Sequence, residues 1–169
     1  DSLFIKKNVD LYLTGSNAYM LSGEISTLLS GRYVEIQMLP LSFKEYLSTF
    51  PDRTDLARKY RKYLENSSFP HTLELDDDRK LIREYLSGIY NSVVLKDVVA
   101  RNKISDVAVL ESIIKFMFDN IGNIKSAKKI SDTMTSYGRK ITAPTVENYL
   151  NAIVNSFILY HVGRYDVKG

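Results

Sequence analysis

Apolar and polar positions change period several times along the chain. Val9, Leu11 and Leu13 alternate with Asp10 and Tyr12, which predicts a strand ending at the small polar run Thr14-Gly15-Ser16-Asn17. Met20, Leu21, Ile25, Leu28 and Leu29 then recur at helical spacing, predicting a helix over about Tyr19 to Ser30 with Gly31 as its stop. Alternation returns from Tyr33 to Met38 as a second strand, and Pro40 ends it. Ser42-Phe43-Lys44-Glu45 is a capping box, so a short helix starts there.

Beyond Pro51 the pattern is helical. Leu56, Tyr60, Tyr63 and Leu64 share one side of a helix over Asp52 to Glu65, while Arg53, Arg58, Lys59, Arg61 and Lys62 give it a basic, solvated face. Asp76-Asp77-Asp78 opens a long helix to Arg101, acids being favoured at a helix start by the dipole. Ile82, Leu86, Ile89, Val93 and Leu95 to Val99 form its apolar side. Three shorter helices follow. Val107, Leu110, Ile113, Ile114 and Met117 define the first, from Asp106 to near Gly122; Ser126 caps the second, with Ala127, Ile130 and Met134 inward and Gly138 at its end. Ala143-Pro144 opens the third, whose inward side is Val146, Leu150, Ile153 and Phe157. Phe157 to Val162 reads as a strand, Gly163 as a turn, and Tyr165 to Lys168 as the start of another strand. Three helices and a hairpin are a winged-helix order with the third helix as recognition element. The fold class predicted is mostly α with a small β part.

Composition narrows the classes. A length of 169 residues suits one medium domain or two small ones, and 44% apolar content is ordinary for a globular chain. The absence of cysteine excludes disulfides and thiolate metal sites and favours an intracellular, cytoplasmic setting. No apolar run has the length to span a bilayer, and no signal peptide is visible, so no membrane partner is expected. Asp1 in place of Met, and Gly169 directly after an apparent strand, predict a fragment of something longer.

The net charge of +3 is unevenly spread. From residue 120 onward, Lys125, Lys128, Lys129, Arg139, Lys140, Arg164 and Lys168 face only Asp132, Glu147 and Asp166, a net of +4. Lys125, Lys128, Lys129, Arg139 and Lys140 flank the second and third helices, where they can meet phosphates. Thr145, Asn148 and Asn151 stand on the third helix away from its inward side and can touch base edges of duplex DNA. Against this, the same helix carries Glu147 and no arginine, and a protein-interaction role or self-association through the apolar sides of the helices between Asp52 and Arg101 suits the pattern equally.

A strand that stops at Thr14-Gly15-Ser16-Asn17 suits the ligand edge of an open α/β sheet. From the residues alone, Ser16 and Asn17 read first as caps of the following helix, and second as holders of a phosphate or a water. Arg32 is either a surface arginine or a phosphate clamp or finger. His71 and His161 lie far apart and read as structural or surface residues. No G-x-x-x-x-G-K-[ST] occurs, and no apolar strand ends in an acidic pair for Mg²⁺, so the chain lacks a seat for a triphosphate.

LTGSNAYMLSGE, LLSGRYVEI and LPLSFKEYL resemble segments of the prokaryotic AAA-type ATPases that carry a C-terminal domain of unknown function. IYNSVVLKDVVARNKI, DNIGNIKSAKKISD and TVENYLNAIVNSFILYHVGRYDVKG resemble its later segments, in the same order. NSSFP at residues 66–70 departs from the Gly-Gly that the family usually places before Phe-Pro. The resemblance implies a truncated α/β AAA core remnant over 1–50, a helical lid over 51–104 and a winged helix over 105–169. It implies catalytic roles for Asn17 and Arg32 and nucleotide sensing by Thr14 and Ser16, with Asn17 or Ser16 as the polar sensor of the γ-phosphate. ATP and Mg²⁺ belong, on this resemblance, to the full-length parent, an ATP hydrolase, while this fragment needs no cofactor and does not hydrolyse ATP alone. A winged-helix regulatory module that binds DNA, or an interaction module, is the alternative.

Overall fold

The computed structural model describes residues 6, 8–12, 32–34, 36, 38–123 and 125–163. Among them the chain is mostly helical and contains no strand. Two compact units divide it, one formed by described residues 32–92 and a second containing 93–163.

The first unit holds α1 (Phe43–Ser48), α2 (Leu56–Asn66), a 3-10 turn at Pro70–Glu74 and α3 (Arg79–Ser92). The predicted capping box starts α1. The Ser42 hydroxyl accepts from the Glu45 N–H, and the Glu45 carboxylate accepts from the Ser42 N–H at 2.8 Å. The Ser42 hydroxyl also donates to the Glu45 carboxylate at 2.7 Å, and this bond first, then the one from the Ser42 N–H, holds the Glu45 carboxyl below its usual range.

α1 and α2 meet through rings. Phe43 lies 4.9 Å from Tyr60 and 5.4 Å from Tyr63, and Tyr46 lies 5.0 Å from Phe50 and 5.3 Å from Tyr63. Tyr63 spends its hydroxyl on the Leu41 carbonyl at 2.8 Å, which lets a polar aromatic join an apolar cluster. Burial, with a smaller contribution from Asp77, raises the Tyr46 phenol.

One member of the predicted solvated face of α2 is not solvated. Lys59 is only 7% exposed, and its ammonium donates to the carbonyls of Asp52 at 2.6 Å and Thr54 at 2.7 Å and to the Asp52 carboxylate at 3.2 Å. The acidic triplet divides its labour. Asp77 engages Lys62 and Asn66, and Asp78 caps α3 by accepting from the N–H groups of Lys80 and Leu81.

The second unit opens with a π-helical stretch, Val93–Ala100, and continues through α4 (Val107–Phe118), α5 (Ala127–Ser136) and α6 (Ala143–Asn155). Asp106, Ser126 and Thr142 cap the three α-helices, each side chain accepting a backbone N–H three residues on. Val98, Leu110, Ile113, Ile114, Ile130, Met134, Val146 and Ile153 form a core that is closed to solvent. Ser131 is buried beside them and donates to the Ile141 carbonyl at 2.6 Å, so its hydroxyl carries no unmet need. Asp97, in the π stretch, is also buried and pairs with Arg101 at 3.1 Å.

Three helix ends of this unit close in the same way. After the π stretch, the N–H of Lys103 donates to Ala100 and that of Ile104 to Val99; after α5, Gly138 donates to Thr135 and Arg139 to Met134; after α6, Phe157 donates to Val154 and Ile158 to Ile153. Each is the paired three-back and five-back bond of a Schellman motif. In each the first residue is left-handed, with φ of +50° at Lys103, +79° at Gly138 and +59° at Phe157.

This last closure corrects the predicted hairpin. Residues 156–163 form turns, bends and irregular chain, not a strand. Because Phe157 turns left-handed, Ile158 and Leu159 fold back to pack on the core instead of extending away from it. Phe157 is 38% exposed and is not an inward residue of the helix; Tyr149 and Ala152 are inward instead. The second strand, Tyr165 to Lys168, lies outside the described residues, as do the helix over 19–30 and Leu13 of the first strand. The other described residues of both N-terminal strands, 9–12 and 33, 34, 36 and 38, are irregular and exposed, with no ladder partner among the described residues to hold them extended.

Candidate functional site

α6 and the Schellman turn at Lys103 face each other across an open groove of about 490 Å³. Thr145, Asn148 and Asn151 come from the helix, at a spacing of three that keeps them on one face. Asn102, Lys103 and Ser105 come from the turn, and Ile104, Tyr149 and Ala152 lie between as the floor. The three floor residues are buried, so the polar side chains stand on a rigid base. Asn102 donates its amide to the carbonyls of Val98 at 2.8 Å and Asp97 at 3.3 Å, tying the turn to the end of the π stretch. Thr145 shares a 2.8 Å hydrogen bond with the Thr142 hydroxyl and so also belongs to the cap of α6. The groove wall holds one ammonium group and no carboxylate. Two acids adjoin the groove residues in sequence, and neither lines it: Asp106 turns its carboxylate to the Val109 N–H at 2.9 Å, and Glu147 is exposed on α6.

The structure therefore brings together the three polar residues predicted on the third helix, and adds Asn102, Lys103 and Ser105, which sequence reasoning missed. Those three sit just beyond a predicted helix end, and only a left-handed turn without a glycine signal brings them round to α6. The predicted cations are more scattered. Lys128 and Lys129 are exposed on α5, and Lys128 pairs with Asp132 at 3.7 Å. Lys140 is exposed between α5 and α6, and Lys125 and Arg139 are half-buried beside the ends of α5. Arg32 is exposed in irregular chain of the other unit. Thr14, Ser16 and Asn17 lie outside the described residues.

A second groove, of about 570 Å³, runs along α3 within the first unit. Ile82 and Leu86 line it, with Arg79, Arg83, Ser87 and Asn91 at successive turns of the helix. Arg79 lies 3.7 Å from Glu65, which blunts the positive charge there. Among the described residues no group of three His, Asp or Glu side chains is placed to hold a metal ion, and no helix is long and apolar enough to cross a membrane. With no phosphate loop in the sequence either, these residues do not fit a complete Mg²⁺–triphosphate seat.

Residues 2–47 are similar to the AAA domain. An uncharacterized protein of Haemophilus influenzae is 40% identical over 172 residues, which take in all of this chain and 42% of that protein. An uncharacterized protein of Methanocaldococcus jannaschii is 27% identical over 94% of this chain and 38% of its own length. The chain thus spans about two-fifths of the length of the curated relatives it matches. No solved structure matches. The sequence profile of one family covers residues 57–169, from α2 through the groove beside α6 and beyond, and the chain belongs to that family, described as domain of unknown function (DUF8612).

Proposed function

We propose that the chain is the C-terminal portion of an AAA-type ATP-binding protein, in which the helical residues couple nucleotide state to a partner. The observation that carries this is the order of the two matches: the match to the AAA domain over 2–47 is followed, after a short gap, by the family domain over 57–169. The relatives' greater length leaves room for the phosphate loop and the acidic strand end that this sequence lacks. On this reading residues 1–50 complete an AAA core, and the helices that follow form its lid and its output domain, with 93–104 packed into the core of the latter. Thr14, Ser16 and Asn17 lie at the sensing edge of that core, and Arg32 reaches a phosphate. ATP and Mg²⁺ are then cofactors of the longer protein.

The test uses the full-length Haemophilus influenzae relative with the residues matching Asn17 and Arg32 changed to alanine. Each variant should bind ATP normally and hydrolyse it at least tenfold more slowly, one lost transition-state contact being worth about 1.4 kcal/mol or more. Normal turnover in both variants refutes the site.

One observation favours duplex DNA as the partner of the output domain. Of Lys125, Lys128, Lys129, Arg139 and Lys140, only Lys128 is ion-paired among the described residues, so four cations near α5 and α6 are available to phosphates. Binding should weaken steeply with salt, and neutralising Lys129, Arg139 and Lys140 together should lower the slope of log affinity against log salt by about 3. Fluorescence anisotropy with a duplex measures this, and no binding at low salt disposes of it. The polar residues of α6 form a groove of their own, with different chemistry.

A further inference from the structure

The groove between α6 and the Lys103 turn is unlike a surface that reads a duplex. A recognition helix must enter a major groove about 12 Å wide, so its reading side chains stand on a free, convex face. Thr145, Asn148 and Asn151 instead look across a cleft walled on its far side by residues 102–105. A nucleic-acid strand also repeats its charge at every nucleotide and is met by a row of cations. The cleft offers one cation, Lys103, and no carboxylate to oppose an anion.

What the cleft does offer is amide chemistry. An asparagine side chain presents a donor and an acceptor side by side, as a peptide group does. Asn148 and Asn151 are both exposed, and neither side chain has a hydrogen-bond partner among the described residues. Asn102 has committed its NH₂ to Val98 and Asp97, which leaves its carbonyl oxygen as the remaining acceptor. Ser105 and Thr145 add hydroxyls, and about 490 Å³ is within the usual size of a ligand cleft. A slender chain rich in amides and ending in a single negative charge matches this inventory.

We propose that this groove captures the C-terminal end of an extended polypeptide. Its carboxylate is held at the Lys103 ammonium, and its last peptide groups pair with Asn148 and Asn151. End capture of this kind is a recurring mode of peptide recognition. Two features prepare the site: the buried floor of Ile104, Tyr149 and Ala152, and the hydrogen-bonded turn that fixes Lys103. The proposal is independent of any AAA-type activity and of the cations near α5.

The probe is an array of tetrapeptides attached through their N-termini, each with a free carboxylate or a C-terminal amide. The 169-residue chain should bind a subset of the free acids at least tenfold more tightly than the matching amides. Lys103→Asn should erase that preference, because asparagine tolerates the left-handed backbone and so removes the charge without disturbing the turn. Asn151→Ala should weaken binding to both forms. Circular dichroism on both variants confirms that the fold is kept, and amide shifts of the unsubstituted protein at Asn102, Lys103, Asn148 and Asn151 on adding a bound peptide in solution locate the contact. Equal binding of acids and amides, binding of no peptide, or a single-stranded oligonucleotide shifting those same amides while the peptides do not, overturns the proposal.

Discussion

Lys59 and Asp52 show how much a single side chain can organise. A lysine amid Arg58 and Arg61 on α2 reads in sequence as one more solvated charge, and helical periodicity could not separate it from its neighbours. In the fold its ammonium ties the approach to α2 to the helix itself, across the carbonyls of Asp52 and Thr54. Lys59→Met should therefore cost the first unit about 1–3 kcal/mol, the range for stranding acceptors of a charged donor. The exposed neighbour variant Arg61→Met should stay within about 0.5 kcal/mol. Urea denaturation followed by tyrosine fluorescence distinguishes them. Asp52 adds a pH dependence. Hydrogen bonds from the Thr54 N–H and hydroxyl, then from Lys59, depress its carboxyl from 3.8 to about 2. The folded chain binds that proton less readily than the unfolded one, so the carboxylate stabilises the fold above pH 3.8, and the gain is lost as pH falls toward 2. The stability gap between the native chain and Asp52→Asn should be widest above pH 4 and close through that window.

At the scale of the element, starts were legible and ends were not. Ser42, Ser126 and Pro144 announce their helices because a cap is a side-chain event, written in residue type. The three Schellman ends are backbone events. Only α5 places glycine at the left-handed position, and only that end was readable. At Lys103 and Phe157 tertiary packing overrides the preference: the sequence stopped the long helix at Arg101 with no sign of the turn that follows, and read Phe157 as the start of a strand. The same asymmetry predicts stability. Gly138 has open space where a Cβ would stand, so Gly138→Ala should lose about 1 kcal/mol from backbone strain alone. Lys103→Gly should gain a similar amount by relieving that strain, while giving up the preference for peptide acids. Thermal unfolding of the two variants should move in opposite directions. A loss of stability in Lys103→Gly would mean that its side chain holds the turn, not a ligand. The groove residues follow the same divide: Thr145, Asn148 and Asn151 were legible from helical phase, and Asn102, Lys103 and Ser105 were hidden by the turn.

At the scale of the molecule, the helical class was legible because apolar spacing of three and four dominates from Asp52 onward. The β part was read from alternation, which records that a segment is able to pair and not what it pairs with. Val34 is 87% exposed, Ile36 73%, Met38 86% and Leu39 67%, a run of apolar side chains that a stable monomer rarely leaves in water. On the proposed reading these residues are a strand of an AAA core whose neighbouring strands belong to the rest of the longer protein. A strand acquires protection only when its N–H groups are paired, so backbone exchange tests the reading without any assay of activity. In the 169-residue chain the amides of Val34 and Ile36 should exchange at close to unstructured rates. In the full-length Haemophilus influenzae relative the matching amides should slow by about a hundredfold or more, corresponding to roughly 3 kcal/mol of opening free energy. The groove amides of Asn148 and Asn151, on a helix over a closed core, should be protected alike in both. Fast exchange at the matching positions of the longer protein would show that the alternation is surface chain there too, and would remove the sheet edge on which Asn17 and Arg32 are proposed to act.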